Sequence, residues 1–271
     1  MTFTDKTVWI TGASSGIGAA LAREFAARGA RIVLSGRDET RLQAVAAELA
    51  TETLVLPFEV TDEAAMLAAT QAAIAWHGVD IFVANAGISQ RSPAVDTAME
   101  VYRRIIAIDL TAQIAATQAL LPHLVGRASS SLVFISSIAG KVGVPLRTAY
   151  CAAKFGLVGY ADALRAELSQ SGVGVHVVCP GSVATEVSRN ALTGTGTPRG
   201  VSDRAIDSGI PPAEAAQAIV AGIAAGTREI IVARGVELAM GELRRTPDVL
   251  IDQMATMVAN GYMQKMQAED S

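Results

Sequence analysis

Short apolar runs alternate with longer alanine-rich stretches along most of the chain, and this alternation limits the possible folds more than any other feature. The short runs are rich in Val, Ile and Leu, which is typical of buried strands, and the longer stretches repeat apolar residues at helical spacing. Strands separated by helices pair in parallel, since each helix carries the chain back across one face of the sheet by a right-handed crossover. The sequence therefore predicts an α/β fold, a doubly wound parallel sheet of about seven strands with helices on both faces.

The same pattern sets bounds for each predicted element. Seven runs are predicted as strands: Thr7–Thr11, Arg31–Ser35, Thr53–Phe58, Asp80–Ala84, Ser131–Ile135, Val173–Cys179 and Glu229–Val232. The predicted helices are Gly16–Gly29, Glu39–Ala50, Glu63–His77, Thr97–Gly126 with a break inside it, Ala149–Ser171 and, after Pro211 and Pro212, Ala213–Ala225. Gly226 is predicted to end the last helix, because glycine readily adopts the left-handed conformation that follows many helices.

Two segments stand apart from this pattern, although no shift in composition marks a linker and residues 1–271 are predicted to form a single domain. Ser188–Gly209 is rich in Gly, Thr and Ser without any period, which predicts a substrate lid over about residues 186–212; a loop without a role is the alternative. A C-terminal extension over about residues 236–267 is rich in methionine. It includes an apolar helical stripe, Leu250, Met254, Met257 and Val258. We favour packing on its own subunit over covering the pocket, packing across a dimer or contacting a membrane.

Composition argues against several classes of function. The formal charge is −4, and the basic residues are scattered along the chain rather than grouped into a stripe that could bind a phosphate backbone. Nucleic-acid binding is therefore not expected. Cys151 and Cys179 lack metal-ligand spacing, which predicts no metal site and favours a reducing compartment. Met1–Ile10 lacks the pattern of a signal peptide, and no uncharged apolar run reaches the roughly 18 residues that cross a bilayer. We therefore expect a cytoplasmic protein without a transmembrane segment.

Immediately after the first predicted strand, the chain reads Thr11-Gly12-Ala13-Ser14-Ser15-Gly16-Ile17-Gly18 and then continues as an amphipathic helix. Glycines allow a sharp turn and let a pyrophosphate approach the backbone, and the helix start offers unpaired N–H groups and a favourable dipole. The turn is predicted to bind a dinucleotide; taken alone, a tight turn without a ligand is the alternative. Its candidate cofactor-binding residues are Gly12, Ser14, Ser15, Gly16, Ile17 and Gly18.

Arg37 follows the second predicted strand, where dinucleotide-binding proteins distinguish their two cofactors. A carboxylate at that strand end would accept a hydrogen bond from the ribose 2′-hydroxyl and repel a 2′-phosphate, whereas a guanidinium pairs with phosphate. Neither Ser35 nor Gly36 is acidic, so NADP(H) is the predicted cofactor and NAD(H) is the alternative. Asp38 argues against this prediction, and Arg37 could instead only begin the exposed helix that contains Arg41.

Four further motifs follow the glycine turn in order. They are Asn85-Ala86-Gly87 after the fourth predicted strand, Ser137 after the fifth, Tyr150-Cys151-Ala152-Ala153-Lys154 on a helix, and Pro180-Gly181-Ser182-Val183-Ala184-Thr185 after the sixth. With these motifs the chain resembles the short-chain dehydrogenase/reductase family from Lys6 to about Val232. The resemblance implies a Rossmann fold and an enzyme that transfers a hydride between a nicotinamide cofactor and a carbonyl or secondary alcohol.

The resemblance also assigns catalytic roles. Tyr150 is implied to be the acid/base, Lys154 to tune it and hold the nicotinamide ribose, and Ser137 to orient the substrate oxygen. Ser136 is the less favoured serine. The chemistry agrees with the spacing of Tyr150 and Lys154, because residues four apart on a helix share a face. A phenol with a pKa of about 10 is a poor base near neutrality, and a neighbouring ammonium favours the phenolate.

Further cofactor contacts are implied by the resemblance. The segment after the fourth strand is expected beside the adenine-side ribose, the segment after the sixth beside the nicotinamide, and the residues after the third near the adenine. The candidates are, in that order, Asn85, Ala86 and Gly87; Pro180, Gly181, Val183 and Thr185; and Glu59 and Val60.

Two positions depart from the family pattern. Asp109 stands where the family usually has a catalytic Asn, and Glu59 stands where Asp is usual. An acid at position 109 could pair with Lys154 or change a water relay, so we expect an altered pH dependence rather than lost activity. The longer Glu59 is expected to weaken or shift the adenine contact.

The substrate end resembles one branch of the family, dehydrogenase/reductases with membrane-associated animal members that are linked with hydrophobic ketones. The similar residues are Asn190–Gly194, Gly200, Val201, Asp203 and Gly209–Ala216. The resemblance implies a small-molecule carbonyl or alcohol substrate of apolar character and a homodimer or homotetramer formed through the helices that carry Asp109 and Tyr150. The competing functions are an NAD-dependent alcohol dehydrogenase, a non-catalytic dinucleotide sensor and a lipid-surface or scaffold protein. A sensor would have no need for Ser137, Tyr150 and Lys154 together.

Overall fold

The computed structural model describes residues 3–243, 253, 256–257 and 260–268 of the chain. Its strands are β1 (Thr7–Thr11), β2 (Arg31–Gly36), β3 (Thr53–Pro57), β4 (Ile81–Ala84), β5 (Ser130–Ile135), β6 (Val173–Pro180) and β7 (Glu229–Val232). They form one parallel sheet in the order β3-β2-β1-β4-β5-β6-β7. The predicted doubly wound parallel sheet is confirmed.

Helices connect successive strands and cover both faces of the sheet, and two further helices in the described part of the chain follow the last strand. They are α1 (Gly16–Ala27), α2 (Glu39–Ala47), α3 (Glu63–His77), α4 (Met99–Ile106), α5 (Ala112–Val125), α6 (Thr148–Glu167), α7 (Arg204–Asp207), α8 (Pro212–Ala224), α9 (Gly235–Leu243) and α10 (Tyr262–Ala268). The predicted bounds differ from these by a few residues at the ends. The carboxylates of Asp38 and Asp62 accept backbone N–H bonds and so set the starts of α2 and α3.

The predicted break in the long helical stretch is a π-helical turn, Ala107–Thr111, between α4 and α5. Such wide turns are frequent at functional sites. This one carries Asp109, whose side chain is fully buried.

Two hydrophobic cores lie on opposite faces of the sheet. On one face, Phe25 of α1 and Ile219 of α8 belong to the same cluster as Ile10. On the other face, Trp9 belongs to the cluster that contains Leu120 of α5. Because both faces are covered, neighbouring strand residues are apolar alike, which is why the strands have continuous Val and Ile runs.

The order of the strands reverses between β1 and β4. From β1 the chain builds outward to β2 and β3, and it then returns to the other side of β1 for β4. At such a switch point the connections leave on opposite faces, and a crevice opens at the carboxyl ends of the strands. The fold therefore places a binding cleft next to the glycine turn.

The predicted lid is more ordered than its sequence suggests. It contains the one-turn helix α7, and isolated bridges join Leu192 to Gln90 and to Pro198. One helical turn and single bridges are too short to produce a period in the sequence.

The described start of the C-terminal extension packs on its own subunit. Gly241 of α9 is buried next to Ile138 and Ile231, and Met240 packs on the core. Of the predicted apolar stripe, Leu250, Met254 and Val258 lie outside the described residues.

Among the described residues, one helical stretch, Met99–Val125, is long and apolar enough to cross a membrane by length and composition. It contains Asp109, so a search for an uncharged run does not find it. Leu120 and Leu124 of this stretch are buried in the core beneath the sheet. The absence of a transmembrane segment stays a prediction.

Asp80 ties together the starts of the central strands. Its carboxylate accepts a 2.9 Å bond from the Thr7 N–H and lies 2.6 Å from Arg127 and 3.4 Å from Lys6. Its backbone N–H donates to the Thr7 carbonyl, and its own carbonyl accepts from the Ser131 N–H. The backbone and carboxylate of one buried residue therefore link the starts of β1, β4 and β5.

Asp80→Ala is expected to lower the free energy of unfolding by about 3 kcal/mol, because it leaves a buried N–H without its acceptor and Arg127 without this partner. Urea unfolding followed by circular dichroism measures the change. Glu48→Ala is the control, since it removes an exposed ion pair with Arg23 and should change stability little. Equal losses in the two variants would contradict the role of Asp80.

Candidate active site

A cleft of about 500 Å³ opens at the carboxyl ends of the strands. Its walls include every candidate residue predicted from the sequence: Gly12, Ser14, Ser15, Gly16, Ile17, Gly18, Arg37, Glu59, Val60, Asn85, Ala86, Gly87, Asp109, Ser137, Tyr150, Lys154, Pro180, Gly181, Val183 and Thr185. The fold thus brings segments that are far apart in the sequence into one site.

The glycine turn forms a cradle that side chains would fill. Gly12 and Gly16 have φ angles of +66° and +53°, which glycine adopts without strain. A Cβ on Gly12 would lie 2.9 Å from Ala86 Cα, and a Cβ on Gly18 only 2.3 Å from the Gly12 carbonyl oxygen. Ser15 makes no side-chain capping bond to the described start of α1. The open turn and the helix start fit a pyrophosphate.

Asn85 holds this cradle from the neighbouring strand. Its amide nitrogen donates to the carbonyls of Thr11 and Gly12 at 2.8 and 3.2 Å. The Thr11 hydroxyl in turn accepts from the N–H groups of Asn85 and Ala86. These bonds lock the turn after β1 to the turn after β4.

At the adenine end predicted from the sequence, each of two guanidiniums faces a carboxylate. Arg37 lies 3.5 Å from Glu59, and Arg41 lies 3.2 Å from Glu186 at the start of the lid. Asp38 caps α2 by accepting from the Arg41 N–H at 3.0 Å. Arg37 therefore precedes the helix and lines the cleft.

Lys154, Asp109 and Tyr150 form the charged centre of the cleft. The Lys154 ammonium lies 3.2 Å from the Asp109 carboxylate, donates to the Ile135 carbonyl at 3.0 Å and lies 5.5 Å from the centroid of the Tyr150 ring. The other Asp109 oxygen accepts a 2.8 Å bond from the Ile88 N–H. The sequence left open whether Asp109 pairs with Lys154 or changes a water relay. The structure places its carboxylate in direct contact with the Lys154 ammonium.

Burial and charge oppose each other in this pair. Burial lowers the pKa of Lys154, but the charges of Asp109 and Tyr150 outweigh it and the pKa is raised above its ordinary value. Burial raises the pKa of Asp109, and Lys154 and the Ile88 N–H counter only part of this effect. The carboxylate therefore stabilises the protonated amine at the centre of the cleft.

The two adjacent serines have different surroundings. The Ser137 oxygen accepts from the Ala139 N–H at 3.1 Å and donates to the Pro180 carbonyl at 3.3 Å. Ser136 is buried and donates to the backbone carbonyl of Lys154 at 3.0 Å. Ser136 thus holds α6 in place, whereas Ser137 is the more exposed of the two hydroxyls.

The segment after β6 is anchored by a residue that the sequence did not reveal. Glu237 of α9 accepts from both the backbone N–H and the hydroxyl of Ser182 at 2.8 Å. A Cβ on Gly181 would collide with the same carboxylate, so a side chain there would displace Glu237 from Ser182. Glu237 lies in the C-terminal extension, and only the fold brings it to the site.

Sequence reasoning also missed the apolar end of the cleft. Arg104 of α4 and Ile108 of the π turn line the cleft. The other lining residues that the sequence did not reveal lie in the lid or in the segment after β4. These are Ile88, Ser89, Val187, Asn190, Leu192, Pro198 and Ile206. Such residues have no motif, and the only available signal was the lid segment itself.

Comparison with known proteins matches this geometry to one family. Residues 6–195 match the family model described as short chain dehydrogenase. The zebrafish (Danio rerio) dehydrogenase/reductase SDR family member 7B is 38% identical over 239 residues, which cover 84% of this chain and 77% of that protein. The human (Homo sapiens) SDR family member 7 is 39% identical over 200 residues, covering 70% of this chain and 59% of that protein.

Solved structures show the same fold. A short-chain dehydrogenase/reductase from Burkholderia phymatum in complex with NAD aligns with a TM-score of 0.82 at 23% identity, over 90% of this chain and 94% of that one. A short-chain dehydrogenase from Sphingobium yanoikuyae in complex with NADPH aligns with a TM-score of 0.75 at 30% identity, over 83% of this chain and 87% of that one.

Gly18→Ala is expected to destabilise the turn by about 1–3 kcal/mol, because its Cβ would collide with the Gly12 carbonyl and the Asn85 amide. Thermal and urea unfolding measure this loss. Gly159→Ala, on α6 with open space at the Cβ position, is the matched control and should gain up to about 1 kcal/mol from helix propensity. A stable Gly18→Ala variant would show that the turn can relax.

Proposed function

The chain belongs to the short-chain dehydrogenase/reductase family, and on that premise we propose that it is an NADP(H)-dependent oxidoreductase acting on a carbonyl or secondary alcohol. The observation that carries the proposal is the convergence of Ser137, Tyr150 and Lys154 on a cleft that also contains the glycine cradle. A dinucleotide sensor would need the cradle alone.

The preference for NADP(H) rests on the guanidiniums at the adenine end. Arg37 and Arg41 both line the cleft, and a 2′-phosphate offers them a stronger partner than a ribose hydroxyl does. Among the structural relatives, the one from Sphingobium yanoikuyae was solved with NADPH and the one from Burkholderia phymatum with NAD. Glu59 beside Arg37 favours the alternative, NAD(H), because a carboxylate accepts from the 2′-hydroxyl and repels a phosphate.

In the proposed mechanism, the bound nicotinamide supplies or accepts the hydride. Tyr150 donates the phenol proton to the carbonyl oxygen during reduction and recovers it during alcohol oxidation. The Lys154 ammonium, held by Ile135 and Asp109, favours the phenolate and offers hydrogen bonds to the ribose. The Ala139 N–H holds the Ser137 oxygen, which leaves the hydroxyl hydrogen free to turn from Pro180 to the substrate oxygen.

We further propose a hydrophobic ketone or alcohol as the substrate. The walls of the cleft include Ile88, Leu192, Pro198 and Ile206, which are apolar, beside the polar Ser89, Asn190 and Arg104. Apolar walls reward apolar substrates and reject charged ones. A cytoplasmic location and a homodimer or homotetramer formed through the helices that carry Asp109 and Tyr150 stay predictions.

Fluorescence titration with NADPH and NADH tests the cofactor, and a panel of aliphatic and aromatic ketones tests the reaction. NADPH should bind more tightly than NADH, and Arg37→Ala should raise the Kd for NADPH about tenfold, since a hydrogen bond to a charged group contributes about 1.5–3 kcal/mol. The Kd for NADH should change little.

Matched variants separate the explanations. Arg23→Ala removes a guanidinium outside the cleft and should leave both affinities unchanged, whereas Glu59→Gln removes the competing carboxylate and should tighten NADPH binding. Tyr150→Phe should abolish ketone reduction but retain cofactor binding. Preference for NADH would overturn the cofactor assignment, and binding without turnover of any carbonyl would favour the sensor.

Asp109→Asn is expected to move the pH–rate profile to lower pH while activity is retained. Without the Asp109 carboxylate the pKa of Lys154 falls. The protonated amine of Lys154 is then no longer neutralised by a neighbouring negative charge, so it stabilises the Tyr150 phenolate more strongly. Alcohol oxidation, which needs the phenolate, should therefore begin at a lower pH than in the wild type. Ketone reduction needs the phenol, so its loss with rising pH should also begin at a lower pH.

The control is Glu100→Gln, an exposed acid on α4 that pairs with Arg103 and should leave the profile in place. A profile that Asp109→Asn does not move would refute the electrostatic role of Asp109.

A further inference from the structure

Asp203 lies at the centre of a buried cluster of charges beside the substrate end of the cleft. One oxygen of its carboxylate lies 2.5 Å from Arg91 and 3.1 Å from Arg147, and the other lies 2.6 Å from Arg199. The four side chains are only 4–14% exposed. One carboxylate thus holds three guanidiniums among the described residues.

The three arginines come from different segments of the site. Arg91 follows β4, and its backbone N–H donates to the Leu192 carbonyl of the lid at 2.8 Å. Arg147 directly precedes α6, the helix of Tyr150, and also donates to the Ser89 hydroxyl in the wall of the cleft. Arg199 belongs to the lid itself. Asp203 therefore ties the lid to both flanks of the substrate end.

A serine completes the attachment within the lid. The Ser188 hydroxyl is 1% exposed and accepts from the Asp203 N–H at 3.0 Å and from Arg199 at 3.3 Å. The lid residues that line the cleft lie on both sides of this attachment along the chain; they are Glu186, Val187, Asn190 and the apolar Leu192, Pro198 and Ile206. Their position as the apolar wall depends on it.

Electrostatics opposes any opening of this cluster. Burial disfavours the ionised form of Asp203, but Arg91, Arg199 and Ser188 outweigh it and lower the pKa of the carboxyl. Burial lowers the pKa of Arg91 even beside Asp203, which shows how strongly the guanidinium is desolvated. Removing the carboxylate would leave buried charge without this partner, and such a loss is strongly destabilising.

We infer that Asp203 is a positioning residue that fixes the lid as the apolar wall of the substrate site before any cofactor or substrate binds. The inference rests on the proposed function for its kinetic consequence, since a fixed wall selects the substrate. Its structural part concerns the free protein and holds whatever reaction the site performs. A lid that becomes ordered only on ligand binding is the outcome that the inference excludes.

Hydrogen exchange on the free protein tests the structural part. Lid amides with backbone acceptors, those of Leu192, Arg199, Gly200 and Asp207, should be protected in the wild type, and saturating NADPH should change their exchange little. Asp203→Asn should remove this protection. The matched control is Asp207→Asn, an exposed lid acid that bonds to the Ser202 hydroxyl and should leave the protection intact.

Ser188→Ala serves as the second variant if Asp203→Asn fails to fold, which its circular dichroism will reveal. It removes only the hydroxyl that accepts from Asp203 and Arg199 and should raise lid exchange to a smaller extent. Wild-type lid amides that exchange freely until NADPH is added would overturn the inference. Lid amides that stay fully protected in Asp203→Asn would also overturn the inference. If Asp203→Asn is unfolded, the same result in Ser188→Ala would overturn it.

Steady-state kinetics on the ketone that the wild type reduces test the functional part. Asp203→Asn should raise the KM for the ketone about tenfold or more, with a smaller change in kcat and an unchanged Kd for NADPH, because the inference assigns the lid to the substrate and the glycine turn to the cofactor. Ser188→Ala should show the same pattern more weakly. A uniform fall in kcat with unchanged KM would contradict a role in substrate positioning. Wild-type protein without any turnover would instead refute the proposed function and leave the exchange result to decide on the lid.

Discussion

The parallel pairing of β1 with β4 is the constraint on which the site depends. Because the chain leaves these two strands toward opposite sides of the sheet, their carboxyl ends are left uncovered and form the floor of the cleft. Thr11 and Asn85, at the ends of these strands, exchange the hydrogen bonds that hold the glycine turn open. A change in this pairing would move the cradle, the segment after β4 and the buried Asp109 together, since Ile88 of that segment binds the Asp109 carboxylate.

Three carboxylates, two of them buried, organise the rest of the site. Asp109 holds the Lys154 ammonium beneath the cleft, Glu237 holds the segment after β6 through Ser182, and Asp203 holds the lid through the arginines around it. Each provides charge-assisted hydrogen bonds to groups on a different chain segment, which makes the contacts strong and directional. Lys154, the segment after β6 and the lid are therefore each fixed by a separate acid, whereas the glycine turn is held by Asn85 and Thr11. The pairs at the adenine end are exposed, and exposed ion pairs are easily exchanged for a ligand.

Much of the fold and the centre of the site could be predicted because their signals are local. Strand and helix periods, the glycine turn and the spacing of Tyr150 and Lys154 each lie within one short stretch of sequence. The starts of α2 and α3, which Asp38 and Asp62 cap, were predicted correctly. The ends of α2 and α6 were less accurate, because these helices stop at Ala47 and Glu167, a few residues before the predicted ends. The lid was identified only as a segment without a period, since α7 and the bridges of Leu192 are too short to produce one.

The sequence by itself determined the α/β class, the cradle and the candidate site residues, because backbone conformation, helix periodicity and chemical type are properties of neighbouring residues. Only the tertiary structure decided the partners of those side chains. The pairing of Asp109 with Lys154, the contact of Glu237 with Ser182 and the convergence of Arg91, Arg147 and Arg199 on Asp203 join residues distant in the chain. Such contacts depend on how the helices and loops pack on the sheet, and packing is a property of the whole fold rather than of any stretch within it.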